Sequence, residues 1–212
     1  MQYAKSPLGE RINAAKGLSA NCPQCSAKVI PKCGELVIHH WAHEADYDCD
    51  PWWEHESEWH RSWKALAKPE RTEVTLGNHR ADIVRSDGTV VELQHSTISP
   101  EEIAERERFY KKMIWLFDGT DINDESWRLM LRPKLASLPS DVTFRFKHPR
   151  KHYGVCRAPV YVHLGHDPFT YEGKKYDGDF VLHLKRLYLD RPPYGGYGVL
   201  GYAEAFRVWV AV

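Results

Sequence analysis

The sequence predicts an α/β protein in which a small Cys/His-rich module precedes a core of helices and strands, with a β-rich region after it. Three observations carry this prediction. Four of the five cysteines fall within residues 22–49, helix and strand patterns alternate from residue 52 to 117, and beyond residue 140 short apolar runs are broken by Gly and Pro. The expected limits are 1–50 for the N-terminal region with its zinc-finger-like module, 51–135 for the core, and 136–212 for a C-terminal region that completes or extends it. With 212 residues, 42% of them apolar, the chain is long enough to bury a core of ordinary size.

Residues 1–20 carry few apolar anchors and read as a strand-poor lead-in. Within NCPQCSAKVIPKCGELVIHHWAHEADYDC, the stretch KVIPKCGELVIHH looks like two short strands around a Gly turn. Trp52 to Lys68 has no breaker and stops before Pro69, which predicts a helix. Arg71 to Gly77, Arg80 to Val84 and Thr89 to His95 read as strands, with a tight turn at Ser86-Asp87-Gly88. Ser99 is placed to cap the next helix, with Pro100 at its first position and Glu101 and Glu102 favouring its dipole, and this helix is expected to reach about Met113. Ile114 to Phe117 forms a short buried strand. A shorter helix is expected over ESWRLMLRPK, followed by strands at VTFRFKH, PVYVHLG, DFVLHLKRLYL and FRVWVAV.

Composition excludes several classes. Lys and Arg number 29 against 29 Asp and Glu, so the chain is not a strongly basic coater of nucleic acid, although local basic patches such as FKHPRKH, with Lys147, Arg150 and Lys151, remain. Its 8 Trp, 11 Tyr and 7 Phe argue against disorder. No apolar run is long enough to span a membrane. The first residues lack the apolar segment of a secretory signal, so a cytoplasmic, reducing location is expected, where clustered cysteines suit a metal better than disulfides.

Cys22, Cys25, His40 and His43 form a C-x2-C-x14-H-x2-H series. Two short-spaced pairs of soft or borderline ligands are what a tetrahedral Zn2+ needs, and four protein ligands would make the site closed and structural. His39, Cys33 and Cys49 are available substitutes.

HRADIVRSDGTVVELQHS places isolated acids, Asp82 and Glu92, on two strands joined by a short turn. A two-residue loop would leave them on different faces of the sheet. A three-residue loop, with Gly88 in the left-handed bulge position, pairs Asp82 with Glu92. Two carboxylates so close repel unless a cation sits between them, and a hard divalent ion such as Mg2+ would resolve the conflict. An ordinary solvent-exposed hairpin shows the same pattern. Gln94 shares the face of Glu92. On the preceding helix, Glu56, His60, Trp63 and Lys64 fall on one face, as an acid, an imidazole and an ammonium aimed at one surface or as plain surface ion pairs. Arg106 and Tyr110 lie one turn apart on the later helix, suited to a phosphate contact and its polar support or to a solvated face.

CPQC with HWAH, then ESEWHRSWK, HRADI, VELQHSTIS and ERERFYKKMIWLFD, taken in that order, resemble the competence protein CoiA-like family, a branch of the PD-(D/E)XK nuclease superfamily. The resemblance covers roughly residues 20–120. It implies a four-stranded mixed sheet flanked by helices and cleavage of phosphodiester bonds, with nucleic acid, DNA foremost, as partner. By the same resemblance Asp82 matches the metal-binding Asp, Glu92 the acid of the (D/E)-x-K motif, and Glu56 the helix Glu of many members. Asp82, Glu92 and the backbone carbonyl of Leu93 would hold Mg2+ or Mn2+. Gln94 stands where the superfamily has Lys, and a neutral amide can orient a water but cannot be a cation; Lys64 is the candidate to restore the charge and His60 to assist proton transfer. A catalytically inactive nuclease fold that binds nucleic acid is the alternative.

Overall fold

The computed structural model describes residues 1–35, 38–44, 49–52, 54–120, 130–134, 137–146, 148, 150–166, 168–190 and 192–212. It divides into two compact units, Met1–Val84 and Arg85–Val212.

The first unit opens with strands, not with the strand-poor lead-in its composition suggested. β1 (Tyr3–Lys5), β2 (Arg11–Asn13), β3 (Ala20–Asn21), β4 (Lys28–Lys32) and β5 (His40–His43) form one sheet in the order β2-β1-β3-β4-β5. Short strands escaped notice because each contributes only one or two apolar residues. Their core gathers Ala4, Ala20, Val29, Trp41 and Cys22, all under 3% exposed. Of the two strands expected around Gly34, the first is β4; the second begins only at His40, the last residue of the expected stretch, as β5, and the two pair antiparallel with Val29 opposite His43.

The predicted helix over Trp52 to Lys68 is much shorter, α1 (Glu58–Lys64). Ser57 ends it at the N-terminus: its side chain accepts from the His60 N–H, and the imidazole of His60 accepts in return from the Ser57 N–H, a capping box with His in the position usually held by Glu or Gln. Glu56 therefore precedes the helix and is not on its face. A single 3-10 turn, Pro69–Arg71, leads into β6 (Thr72–Leu76), which forms an antiparallel hairpin with β7 (His79–Val84).

The second unit contains β8 (Val90–Gln94), α2 (Pro100–Tyr110), β9 (Met113–Asp118), β10 (Met130–Pro133), β11 (Ser140–Arg145), β12 (Val160–His166), β13 (Phe169–Tyr171), β14 (Lys174–Tyr176), β15 (Asp179–Tyr188), β16 (Gly195–Tyr202) and α3 (Ala203–Ala211). Seven of these strands run side by side as β10-β11-β16-β15-β12-β9-β8. The sheet is mixed: β8, β9 and β12 are mutually parallel, and the rest of the series is antiparallel. β8 and β9 are buried along their whole length, as parallel strands covered on both faces must be. Ser99 caps α2 as its sequence predicts, accepting from the Glu102 N–H at 3.1 Å. α2 stops at Tyr110, and Met113 already belongs to β9.

Two further expectations change. FRVWVAV alternates like a strand but lies in α3, where Ala203 and Val210, both 1% exposed or less, lie seven residues apart on one helical face. The sheet position is taken instead by the Gly-rich β16. Of the expected helix at ESWRLMLRPK, residues 125–129 lie outside the described residues, and Met130–Pro133 is a strand. Among the described residues no helix is long and apolar enough to cross a membrane.

The turn at Ser86-Asp87-Gly88 is the three-residue kind. The Arg85 N–H donates to Thr89 O at 2.9 Å, the Gly88 N–H to Arg85 O at 3.0 Å, and Gly88 sits at φ +78°. α3 clamps this turn: Arg85 Nε donates to Trp209 O at 2.8 Å, its guanidinium lies 3.7 Å from the Trp209 ring centroid, and the Ser86 N–H reaches Val212 O at 3.0 Å. A Cβ on Gly88 would meet nothing within 4 Å, so only backbone strain opposes a substitution. Gly88→Ala is expected to cost about 1 kcal/mol in urea denaturation, and Gly88→Asn less, because Asn tolerates the left-handed region.

Candidate functional site

The Cys/His module forms a four-ligand cluster, with one substitution relative to the sequence reading. Sγ of Cys22, Cys25 and Cys49 and the ring of His43 all lie within 4.8 Å of one another; Cys49 takes the place expected for His40. The reason is strand geometry. His40 and His43 are three residues apart on β5, so they face opposite sides, and only His43 can meet the CPQC turn. His40 Nδ1 instead lies 2.8 Å from Ile38 O. Cys22 Sγ and Cys49 Sγ are 3.7 Å apart, and Cys25 Sγ and His43 Nε2 3.3 Å, close to the ~3.5–3.8 Å edges of a tetrahedron with Zn–S of ~2.3 Å. This Cys3His cluster could hold a zinc ion. The turn is prepared for it, since the Gln24 N–H points at Cys22 Sγ at 3.4 Å. Gln24 Nε2 also donates to Cys49 O at 3.1 Å, tying together the two chain segments that carry the ligands.

Elsewhere in the first unit, Lys64 is the centre of a buried charge network. Its ammonium lies 3.0 Å from Asp82 Oδ1, 3.2 Å from Glu56 Oε2 and 3.3 Å from Glu73 Oε1. Only 5% of its side chain is exposed, and an ammonium has three donors, so three carboxylates use all of them. Lys64 thus neutralises Asp82 and has no donor left for a phosphate or a water. Glu73 was not singled out by sequence. It was detectable by the same signal as Asp82, an isolated acid in a strand pattern. In the β6–β7 register Thr72 faces Ile83 and Val74 faces Ala81, which leaves Glu73 and Asp82 in the intervening positions. Glu73 also accepts from the N–H groups of Gln2 and Tyr3 at 2.8 and 3.1 Å, and its backbone is left-handed at φ +47°. Burial alone would lower the pKa of Lys64, but Asp82, Glu73 and Glu56 raise it well above the lysine range. Burial likewise opposes ionisation of Glu73, but Lys64 and Arg80 hold its carboxyl well below the usual range.

His60 is buried, with Nδ1 2.7 Å from Ser57 Oγ and Nε2 3.1 Å from Glu54 Oε2. Burial disfavours its charge, but the Glu54 carboxylate and the field of Asp82 outweigh this and raise its pKa. Both ring nitrogens serve the helix cap and Glu54, so His60 acts as a strut where the sequence suggested a proton carrier.

In the second unit, Glu92 and Gln94 share one face of β8 at 2% and 3% exposure. Arg106 meets Glu92 with Nη1 to Oε2 at 2.8 Å and holds Glu102 through Nε at 3.0 Å. At 5% exposed, it is turned inward onto carboxylates and not outward to a phosphate. Tyr110 is buried at the end of the same helix. Gln94 Nε2 donates to Ser96 O at 3.1 Å, whereas its Oε1 is buried with no hydrogen-bond partner among the described residues. Of the basic residues expected to meet nucleic acid, Lys151 is exposed, Arg150 donates to Asp118 O at 3.0 Å, and Lys147 lies outside the described residues. Glu92, the Leu93 carbonyl and Gln94 Oε1, all on β8, are hard oxygen donors of the kind Mg2+ takes, so the chemistry of these donors suits that ion.

Two outcomes follow from this geometry. Purified protein is expected to carry about one equivalent of zinc, by the four-ligand logic of closed sites; by metal analysis, Cys49→Ser should lose it and His40→Ala should retain it. Glu73→Gln removes a buried carboxylate that answers both Lys64 and Arg80 and should destabilise by about 3 kcal/mol at neutral pH. Because the folded pKa of Glu73 is depressed, its contribution is complete above the unfolded value of about 4.3 and fades as pH falls. The difference from wild type in denaturation should therefore shrink below about pH 4.

Residues 10–51 match the competence protein CoiA N-terminal domain and residues 57–138 match the competence protein CoiA nuclease-like domain. Nothing among curated proteins or solved structures matches the chain. The first match spans the CPQC and HWAH segments, and the second spans Lys64, Asp82, Glu92, Gln94 and Arg106. The two matches together cover more than half of the chain, which belongs to the competence protein CoiA-like family.

Proposed function

We propose that the protein is a metal-dependent nuclease of the PD-(D/E)XK type that hydrolyses phosphodiester bonds in DNA. The observation that carries this reading is the pair on β8: a buried carboxylate, Glu92, and two residues on, a buried amide oxygen of Gln94 with no hydrogen-bond partner among the described residues, within the stretch that matches a nuclease-like domain. A buried polar atom left unpaired is costly and marks a place for water or an ion.

Asp82, Glu92 and the carbonyl of Leu93 are the residues that would hold Mg2+ or Mn2+. When bound, the ion acts as a Lewis acid on the phosphate and lowers the pKa of the attacking water. Gln94 Oε1 accepts a hydrogen bond from that water and orients it. Lys64 and Arg106 position the acids: each is a fixed counter-charge, Lys64 3.0 Å from Asp82 and Arg106 2.8 Å from Glu92. In this role Lys64 replaces the missing motif lysine in charge but not in contact.

A second reading has its own support. Lys64 and Arg106 already neutralise Asp82 and Glu92, as they would in a catalytically silent nuclease fold that only binds nucleic acid. Incubation of purified protein with plasmid and single-stranded DNA separates the two. Under the nuclease reading, cleavage requires Mg2+ or Mn2+ and falls more than a hundredfold in Asp82→Asn and Glu92→Gln, while Gln94→Lys retains it. Binding of DNA without cleavage under any divalent ion would establish the silent reading. Both acid variants should also melt below wild type, since each removes one counter-charge from a buried cation that has more than one.

A further inference from the structure

The exposed end of the second unit's sheet carries a basic and aromatic surface that the proposed chemistry does not use. Antiparallel register lines up Arg132 with Thr143, Thr143 with Tyr197, and Tyr197 with Arg186, one residue from each of β10, β11, β16 and β15. The next row on the same face brings Arg145 opposite Gly195 and Gly195 opposite Tyr188. Cross-strand partners point to the same side. All three arginines are exposed, Tyr188 is 49% and Tyr197 44% exposed. At ~4.8 Å between strands, the first row spans roughly 15 Å.

Among the described residues, the side chains of Arg132, Arg145 and Arg186 form no ion pair or hydrogen bond, although the chain as a whole has equal numbers of basic and acidic groups. The nearest acid in register is Asp141, one row further on opposite Val199. Arg186 leans over the Tyr188 ring, 5.4 Å from its centroid, so cation and ring form one unit. Elsewhere on this side, α3 covers the sheet: Phe206 packs at 4.6 Å on Tyr161, which stacks on His183. Spaced arginines suit successive phosphodiesters, and exposed rings suit unstacked bases; a duplex, with its bases stacked inside, could use only the first.

We propose that this face, through Arg132, Arg145, Arg186, Tyr188 and Tyr197, binds single-stranded DNA as a stacking platform. Its choice of DNA rests on the nuclease reading above; its preference for a single strand does not.

Fluorescence anisotropy with a labelled oligothymidine and the full-length protein, in magnesium-free buffer, tests it. The combined Arg132→Ala, Arg145→Ala and Arg186→Ala variant should bind at least tenfold more weakly and lose about two from the slope of log affinity against log salt, since each single-strand phosphate contact contributes ~0.7. Tyr188→Leu with Tyr197→Leu should also weaken binding about tenfold or more, whereas the corresponding Phe variants should bind as wild type. A blunt duplex of equal length should bind at least tenfold more weakly than the single strand. Equal binding by the Leu variants, or by the duplex, overturns the platform. Metal-dependent cleavage by a wild type that binds no oligothymidine overturns the platform and leaves the nuclease standing. Platform-dependent binding with no cleavage overturns the nuclease alone.

Discussion

Lys64 points its ammonium at the carboxylates of Glu56, Glu73 and Asp82, one N–H donor for each, and much of the first unit is arranged to make that burial tolerable. An isolated ammonium in this setting would cost several kcal/mol of desolvation, and so would each acid; together they are stable only while every partner stays in place. The constraint reaches outward along the chain. Glu73 adopts a left-handed backbone to present its carboxylate, and it holds the first strand by the N–H groups of Gln2 and Tyr3. α1 ends soon after Lys64, and its start is fixed by the reciprocal cap between Ser57 and His60. The same logic recurs in the second unit, where Arg106 from α2 answers Glu92 on a strand that is otherwise apolar. Both acids that the sequence marks for metal binding are thus held by protein cations, a state that trades mutual repulsion for attraction.

This explains which parts were legible beforehand. Local chemistry was readable: the Ser99-Pro100 start of α2, the Gly88 turn, the β6 to β9 strands and the CPQC turn all depend on residues within four or five positions. Glu92 and Gln94 were readable because alternation along a strand assigns them one face. What failed depended on partners distant in sequence or on a period assumed too soon. His40 was grouped with His43 by spacing suited to a helix or tight turn, but both lie on a strand, where an odd separation divides them. Glu56 was placed on a helix face by counting back from Lys64, although Ser57 starts the helix later. Arg106 read as a surface cation because nothing local reveals that Glu92 lies buried beneath it.

The C-terminal region shows a different kind of failure. FRVWVAV has the β-branched and aromatic content of a strand, yet the sheet position beside β11 and β15 belongs to the sequence GGYGVLGY. Glycine is weak as a strand former, but here it is required: a Cβ on Gly196 would come within 2.1 Å of Arg186 O, and one on Gly198 within 2.2 Å of His183 O. With that slot filled, the last segment folds as a helix against the sheet. Tertiary competition decided the outcome, and propensity alone pointed the wrong way.

The clamp of α3 on the Gly88 turn has a consequence for the order of events during synthesis. Arg85 and Ser86 find their partners at Trp209 and Val212, more than a hundred residues further along. While the chain is being made, the turn at Gly88 exists without its clamp, and its conformation can be sampled and corrected. Once α3 has been added, the helix closes over the loop and that freedom is withdrawn, so α3 acts as a latch on a turn formed long before it.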